Sequence, residues 1–241
     1  MIAILRALAD LAFPRLCLGC GERIVDTTLP WCADCEETLS PVGTNICVVC
    51  GCPDPVVRKD GCRQCPVGGI HFDSARGAFH FQGVAREVVE RLKYRGHTEH
   101  VPAMAKPMIE LIIPHTQSDR SVFLIPVPLY SARRRERGFN QSEELCKQLS
   151  EWLGIPHLPD AVRRSRATPS QTRLSRRKRR LNMKDAFQLS KSAHLLEGSI
   201  AILIDDVYTT GSTLNAVSKI LRESGVHQIH AVAFTRAILD K

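Results

Sequence analysis

Between Ala161 and Lys184 this 241-residue chain carries ten Lys or Arg and neither Asp nor Glu. A stretch with no compensating acid makes a local positive field, which favours polyanions such as nucleic acid, phosphorylated metabolites or an anionic surface. Aromatic rings are missing from the same stretch, which argues against a mode that stacks bases on this segment. The chain also lacks a G-x-x-x-x-G-K-[ST] run, and that speaks against a P-loop nucleotide hydrolase. A long apolar span is absent. The opening stretch from Met1 to Phe13 is interrupted by Arg6 and Asp10 and closed by Pro14. It is too short to cross a bilayer and lacks the charged, apolar and small-residue order of a secretion signal. Ile4, Leu5, Leu8, Leu11 and Ala12 fall at helical spacing, so residues 1–16 read as a short amphipathic helix packed on the body. The expected address is cytoplasmic, without membrane insertion.

What is present is ordinary for a globular chain: 44% apolar residues and a net charge of +8, with length for one large domain or two small ones. The cysteines are not ordinary. Nine of ten precede residue 66, and they pair as Cys17/Cys20, Cys32/Cys35, Cys47/Cys50 and Cys62/Cys65, with Cys52 extra. Each of the first four has a counterpart thirty residues on, and Gly21 maps to Gly51 in the same way. A C-x-x-C knuckle offers two thiolates to one tetrahedral ion, and a second knuckle completes the shell. Four sulfurs in a reducing compartment suit zinc, whose binding supplies folding energy that short polar stretches cannot draw from a core. Sequential pairing gives two ribbons over residues 17–68, and crossed pairing gives a RING-like brace; each repeat is complete in itself, which favours ribbons. Closed tetrathiol sites are structural. Disulfides conflict with the missing secretion signal, and redox-active dithiols with the missing βαβ context. Cys146, alone on a predicted helix, reads as a small buried hydrophobe.

From residue 70 the pattern changes. "SARGAFHFQ", "VFLIPVP", "SIAILIDD" and "HQIHAVAFT" read as strands, the later ones fully apolar. "GVAREVVERLKY", "FNQSEELCKQLSEWLG" and "STLNAVSKILRESG" read as helices. "AMAKPMIELII" is helical by composition, although Pro107 weakens it. Apolar strands alternating with helices predict an α/β domain over residues 70–241, with a parallel sheet covered on both faces.

In such sheets ligands bind at the carboxyl ends of strands. There the chain reads "ILIDDVYTTGSTL", with Asp205 and Asp206 closing a strand and Ser212 or Thr213 opening a helix. Free backbone N–H groups at a helix start attract an anion. Small residues let the chain wrap a phosphate, and Thr209, Thr210, Ser212 and Thr213 add hydroxyls. Two carboxylates repel that phosphate, but ionised carboxylates accept hydrogen bonds from a diol. A ribose 5-phosphate satisfies both halves; Mg²⁺ binding or simple capping by the aspartates are the alternatives.

This run resembles the phosphoribosyl pyrophosphate (PRPP) motif of type I phosphoribosyltransferases. The resemblance implies that Asp205 and Asp206 hold the ribose hydroxyls. It also implies that Val207, Tyr208, Thr209, Thr210, Gly211, Ser212 and Thr213 hold the 5-phosphate. A wider match takes in "PVPLYSARRRERGFNQS" (126–142), "RATPSQTRLSRRKRRLNMKDAF" (166–187) and the N-terminal Cys-rich module. In that order the four resemble the ComF (GntX-like) family of competence proteins over nearly the whole chain. The resemblance implies natural transformation and handling of internalised single-stranded DNA, with competence or recombination proteins as partners. Arg133, Arg134, Arg135 and Arg137 then lie where transferases bind pyrophosphate, and guanidiniums suit that task; a solvated basic turn is the plain alternative. Arg173, Arg176, Arg177, Lys178, Arg179 and Arg180 lie where transferases have a closing loop, or they track a DNA backbone. A solvated stretch is again the alternative. Two functions follow: a DNA-handling protein with a PRPP site, or an active Mg²⁺-dependent transferase in which Asp205 and Asp206 are catalytic and the acceptor is unknown. No hood for a nucleobase is identifiable.

Overall fold

The computed structural model describes residues 15–24, 29–53, 62, 64–66, 69–165 and 186–237. The expected helix at 1–16 lies almost wholly outside them, as do Arg173, Arg176, Arg177, Lys178, Arg179 and Arg180.

The central sheet has four parallel strands: β1 (Ser74–His80), β2 (Val122–Pro126), β5 (Ile200–Tyr208) and β6 (Gln228–Arg236), in the order β1-β6-β5-β2. The middle pair is apolar on both sides because both faces are covered. On β5, Ala201 and Leu203 enter one core and Ile200, Ile202 and Ile204 the other. The first face is covered by α6 (Ser212–Glu223) through Leu214, Val217 and Leu221. The second is covered by α2 (Gly83–Arg95), α3 (Val101–Ile112) and α5 (Gln141–Leu153), with Leu92, Met104, Met108, Leu145 and Leu149 fully buried. Cys146 lies in this core, as its helical position predicts.

Helix α3 runs straight through Pro107. The missing N–H costs one hydrogen bond, but Met104, Met108 and Ile112 bury completely, and that packing outweighs the local penalty. Helix α5 starts at Asn140, whose side chain accepts from the Ser142 N–H, and stops at Gly154 in the left-handed region. The arginine run differs from expectation. It forms a helix of its own, α4 (Ser131–Arg137), ending at Gly138. Strand β5 also differs: it does not end at the aspartates but continues to Tyr208, because Val207 and Tyr208 stay in register with Thr235 and Arg236 of β6.

Two short strands, β3 (Val162–Arg164) and β4 (Phe187–Leu189), pair antiparallel, and Ser165 N–H donates to the Ala186 carbonyl at 3.0 Å. The basic segment therefore leaves and re-enters the body at one point.

The two Cys repeats, followed in the first by a short α1 (Ala33–Glu37), join opposite faces of the sheet. Cys17, Leu18, Trp31 and Cys35 pack in the core with α2 and α3, whereas Cys47, Cys50, Cys52 and Cys62 pack in the core with α6. The segment between them runs along edge strand β1: Val42 N–H donates to Ala78, His80 N–H to Ser40, and Ala75 N–H to Val49. An otherwise open edge is thereby covered.

Candidate functional site

The Cys repeats form two four-sulfur clusters, Cys17/Cys20/Cys32/Cys35 and Cys47/Cys50/Cys62/Cys65, each with its ligand atoms within 4.8 Å of one another. Pairing is sequential, as the complete repeats predict, and Cys52 stands outside the second cluster. Sγ–Sγ separations of 3.8 Å for Cys20–Cys32, 3.8 Å for Cys47–Cys65 and 3.5 Å for Cys50–Cys62 match the edge of about 3.8 Å for a tetrahedron of Zn–S bonds near 2.3 Å. Backbone N–H groups of Gly19 and Cys32 point at Cys17 Sγ, and that of Gln64 at Cys62 Sγ, all at 3.3 Å. Burial pushes the Cys17 thiol up, but backbone N–H groups at Cys20, Cys32 and Gly19 outweigh it and bring it down to about 6. Its counterpart Cys47 is also lowered, against burial, by backbone N–H groups at Cys50 and Val49. The four-sulfur donor set of each cluster fits Zn²⁺ with no open position. Gly51, at φ +60°, brings the second ribbon so close to β1 that a Cβ would meet the Ala75 carbonyl at 2.3 Å.

At the carboxyl end of β5, Asp205 and Asp206 project differently. Asp205 is half-buried, and its Oδ1 accepts from the Ser142 hydroxyl at 3.0 Å and from the Asp206 N–H at 2.9 Å. Asp206 is buried, and its Oδ2 lies 2.9 Å from Lys93 Nζ at the end of α2. Burial raises the Asp205 carboxyl and the neighbouring Asp206 charge raises it further. Lys93 and Ser142 oppose both, and the balance lies at about 7.

Past β5 the chain turns through Thr209 and Thr210 into α6, whose N-cap is Gly211. Gly211 has φ +71°, and a Cβ there would meet the Tyr208 ring at 2.9 Å and Pro66 at 3.3 Å. The Thr210 and Ser212 hydroxyls lie 2.8 Å apart, and the Ser212 N–H donates to Thr210 Oγ1. Asp205, Val207, Tyr208, Thr209, Gly211, Ser212, Thr213 and Leu214 line a cavity of about 30 Å³, room for about one water. A sugar phosphate needs the rim to open.

Comparison with known proteins follows the same division. Residues 8–66 match the double zinc ribbon domain, and residues 137–238 match the phosphoribosyl transferase domain. Competence protein F of Haemophilus influenzae is 35% identical over 222 residues, covering 92% of this chain and 90% of that protein. The chain belongs to the ComF family of competence proteins. DNA utilization protein YhgH of Escherichia coli K12 is 33% identical over 232 residues, covering 95% of this chain and all of that protein. Competence protein ComFC of Bacillus subtilis is 30% identical over 200 residues, covering 80% and 78%.

In this ComF chain the two aspartates and the loop from Val207 to Thr213 form one continuous strand–turn–helix, as the motif predicts. The arginines are less unified. Arg134 pairs with Glu143 at 3.0 Å, and Arg137 donates to Gln141 Oε1 at 3.1 Å. Arg133 lies close enough to Arg164 to disfavour its charge, and Arg135 is exposed. Sequence reading missed Lys93, Ser142 and Arg236. Buried Arg236 stacks over the Tyr208 ring at 3.8 Å and donates to the Thr209 carbonyl, holding the turn from beneath. A charged residue closing an otherwise apolar strand was the available signal. Lys93 and Ser142 gave none.

Two outcomes are expected. Cys32→Ala loses one of two bound zinc equivalents and Cys62→Ala loses the other, by elemental analysis of the purified proteins. Separately, folding lifts Asp205 from 3.8 to about 7, so between those values the folded chain binds more protons than the unfolded one. Stability therefore falls as pH rises through that window. Asp205→Asn removes this slope. It raises the melting temperature by several degrees at about pH 8 and leaves it nearly unchanged at about pH 4, measured by thermal denaturation.

Proposed function

We propose that this chain handles internalised single-stranded DNA in the cytoplasm during natural transformation, and that its C-terminal domain carries a PRPP site. The observation that carries the ligand is the union, on one strand–turn–helix, of a carboxylate pair with a loop of backbone N–H groups and hydroxyls. The names of the relatives, competence and DNA utilization proteins, support the cellular task. The proposed division has a short helix at 1–16, ribbons at 17–68 and the transferase-type domain at 70–241.

In this reading Asp205 and Asp206 accept from the ribose hydroxyls. Ser142 orients the first carboxylate, and Lys93 pairs with the second. The 5-phosphate lies against the turn from Val207 to Thr213, with Thr209, Thr210, Ser212 and Thr213 donating hydroxyls. Gly211 permits close backbone approach there, and Arg236 fixes the loop through the Thr209 carbonyl. Arg133, Arg134, Arg135 and Arg137 neutralise the pyrophosphate end, with Arg134 giving up its exposed ion pair. Mg²⁺ bound with PRPP adds charge neutralisation at the same end. The basic segment bearing Arg173, Arg176, Arg177, Lys178, Arg179 and Arg180 meets DNA phosphates. The intact carboxylate pair also favours a second reading, an active transferase. There Asp205 or Asp206 stabilises the developing cationic sugar as the anomeric C–O bond to pyrophosphate breaks and an acceptor with its own nucleophile bonds to that carbon.

Calorimetric titration of Mg²⁺–PRPP is expected to show binding to the zinc-loaded wild type and none to Asp205→Asn/Asp206→Asn. No binding by folded wild type would sink the PRPP reading. For DNA, neutralising Arg176, Arg177, Arg179 and Arg180 to Gln is expected to weaken single-strand binding and flatten its dependence on log salt by roughly three units. An unchanged salt slope would remove the basic segment from the DNA site.

A further inference from the structure

Among the described residues the most exposed large apolar side chain is Tyr94, at 74%. It serves no core. The Arg137 guanidinium carbon sits 5.5 Å from its ring centroid, held there by Gln141. A ring with a cation fixed over it and most of its surface open to solvent is one on which a flat base can stack.

Its position gives it meaning. Tyr94 follows Lys93, whose ammonium reaches Asp206, and Arg137 precedes the helix from which Ser142 reaches Asp205. The Tyr94–Arg137 pair thus ties α2, which contacts Asp206, to α4, which leads into the helix that contacts Asp205. The surroundings are cationic: Arg95, Arg133, Arg134 and Arg135 are exposed, and on α4 only Glu136 is acidic. A ring flanked by guanidiniums matches a polymer that alternates flat bases with phosphates. In a duplex the bases are stacked and paired, so only an unpaired strand presents one to a single ring.

We propose that Tyr94, with Arg137 beside it, is a base-stacking platform for single-stranded DNA, and that Arg95 and the exposed arginines of α4 take the adjoining phosphates. The inference rests on the DNA-handling reading above but assigns stacking to a place distinct from the basic segment, which has no aromatic ring. In that arrangement an anionic strand and an anionic sugar phosphate share the arginines of α4.

The test uses the full zinc-loaded chain and fluorescence anisotropy with two labelled oligonucleotides of equal length, one of thymidines and one of abasic residues. Wild type is expected to bind the thymidine strand about tenfold more tightly than the abasic one. Tyr94→Ala loses that tenfold, about 1.4 kcal/mol, and with it the discrimination, while Tyr94→Phe retains both. The slope of affinity against log salt is unchanged in Tyr94→Ala, because stacking releases no counterions, and drops by about 1.4 in Arg133→Gln/Arg135→Gln. If Tyr94→Ala binds DNA and still discriminates against the abasic strand, or if it alters only the melting temperature, the ring is an anchor for α4 and the inference is wrong. If wild type binds neither strand, the DNA-handling reading itself fails.

Discussion

Arg236 lies flat over Tyr208 at the carboxyl end of the sheet and donates to the carbonyl of Thr209. A guanidinium buried to 3% exposure is costly to desolvate unless it is paired. Here the ring face and the loop carbonyl compensate it, and that arrangement keeps β5 paired with β6 past the aspartates. The turn is thereby placed two residues beyond them. The same ring meets Gly211, and Pro66 of the second ribbon closes on that glycine from outside. Loop, sheet end and metal module therefore share one packing point.

The second ribbon is consequently part of the transferase-type domain's wall. Phe72, Ala75 and Tyr208 share a core with Cys47, Cys50, Cys52 and Cys62. Arg76 reaches back to the Val48 carbonyl at 2.8 Å. The first ribbon takes the same role on the other face, against Val84 and the helices behind it. The two repeats are alike in sequence yet serve different cores. The four-sulfur clusters supply order to segments whose own apolar content is low.

At the centre lies a conflict of charge. Two adjacent carboxylates stand side by side at the end of β5, and the folded chain relieves their repulsion unevenly. Asp206 takes the ammonium of Lys93, while Asp205 has only a hydroxyl and a backbone N–H and is left near 7. A ligand whose hydroxyls face the carboxylates and whose phosphate faces the loop meets each with its complement. Helix α4 carries four arginines against Glu136 alone, which suits a polyanion as well as a sugar phosphate.

Much of this was legible in the chain. Knuckle spacing determined two tetrathiol centres, because four sulfurs at a fixed reach satisfy one ion, and the completeness of each repeat favoured sequential pairing, which the structure has. The apolar runs determined a covered parallel sheet, and the order of Asp, Thr, Gly and Ser the strand–turn–helix. Other features depended on residues far apart in sequence. Pairing with β6 carried β5 beyond the aspartates, and burial of Met104 and Met108 carried a helix through Pro107. Only the tertiary structure put Lys93, Ser142 and Arg236 at the aspartates and the loop, sent the two ribbons to opposite faces, and set Tyr94 under Arg137. Spacing along the chain records what neighbouring residues do together. Contacts between separate elements depend on how those elements pack, and single residues such as Lys93 carry no local pattern that announces them.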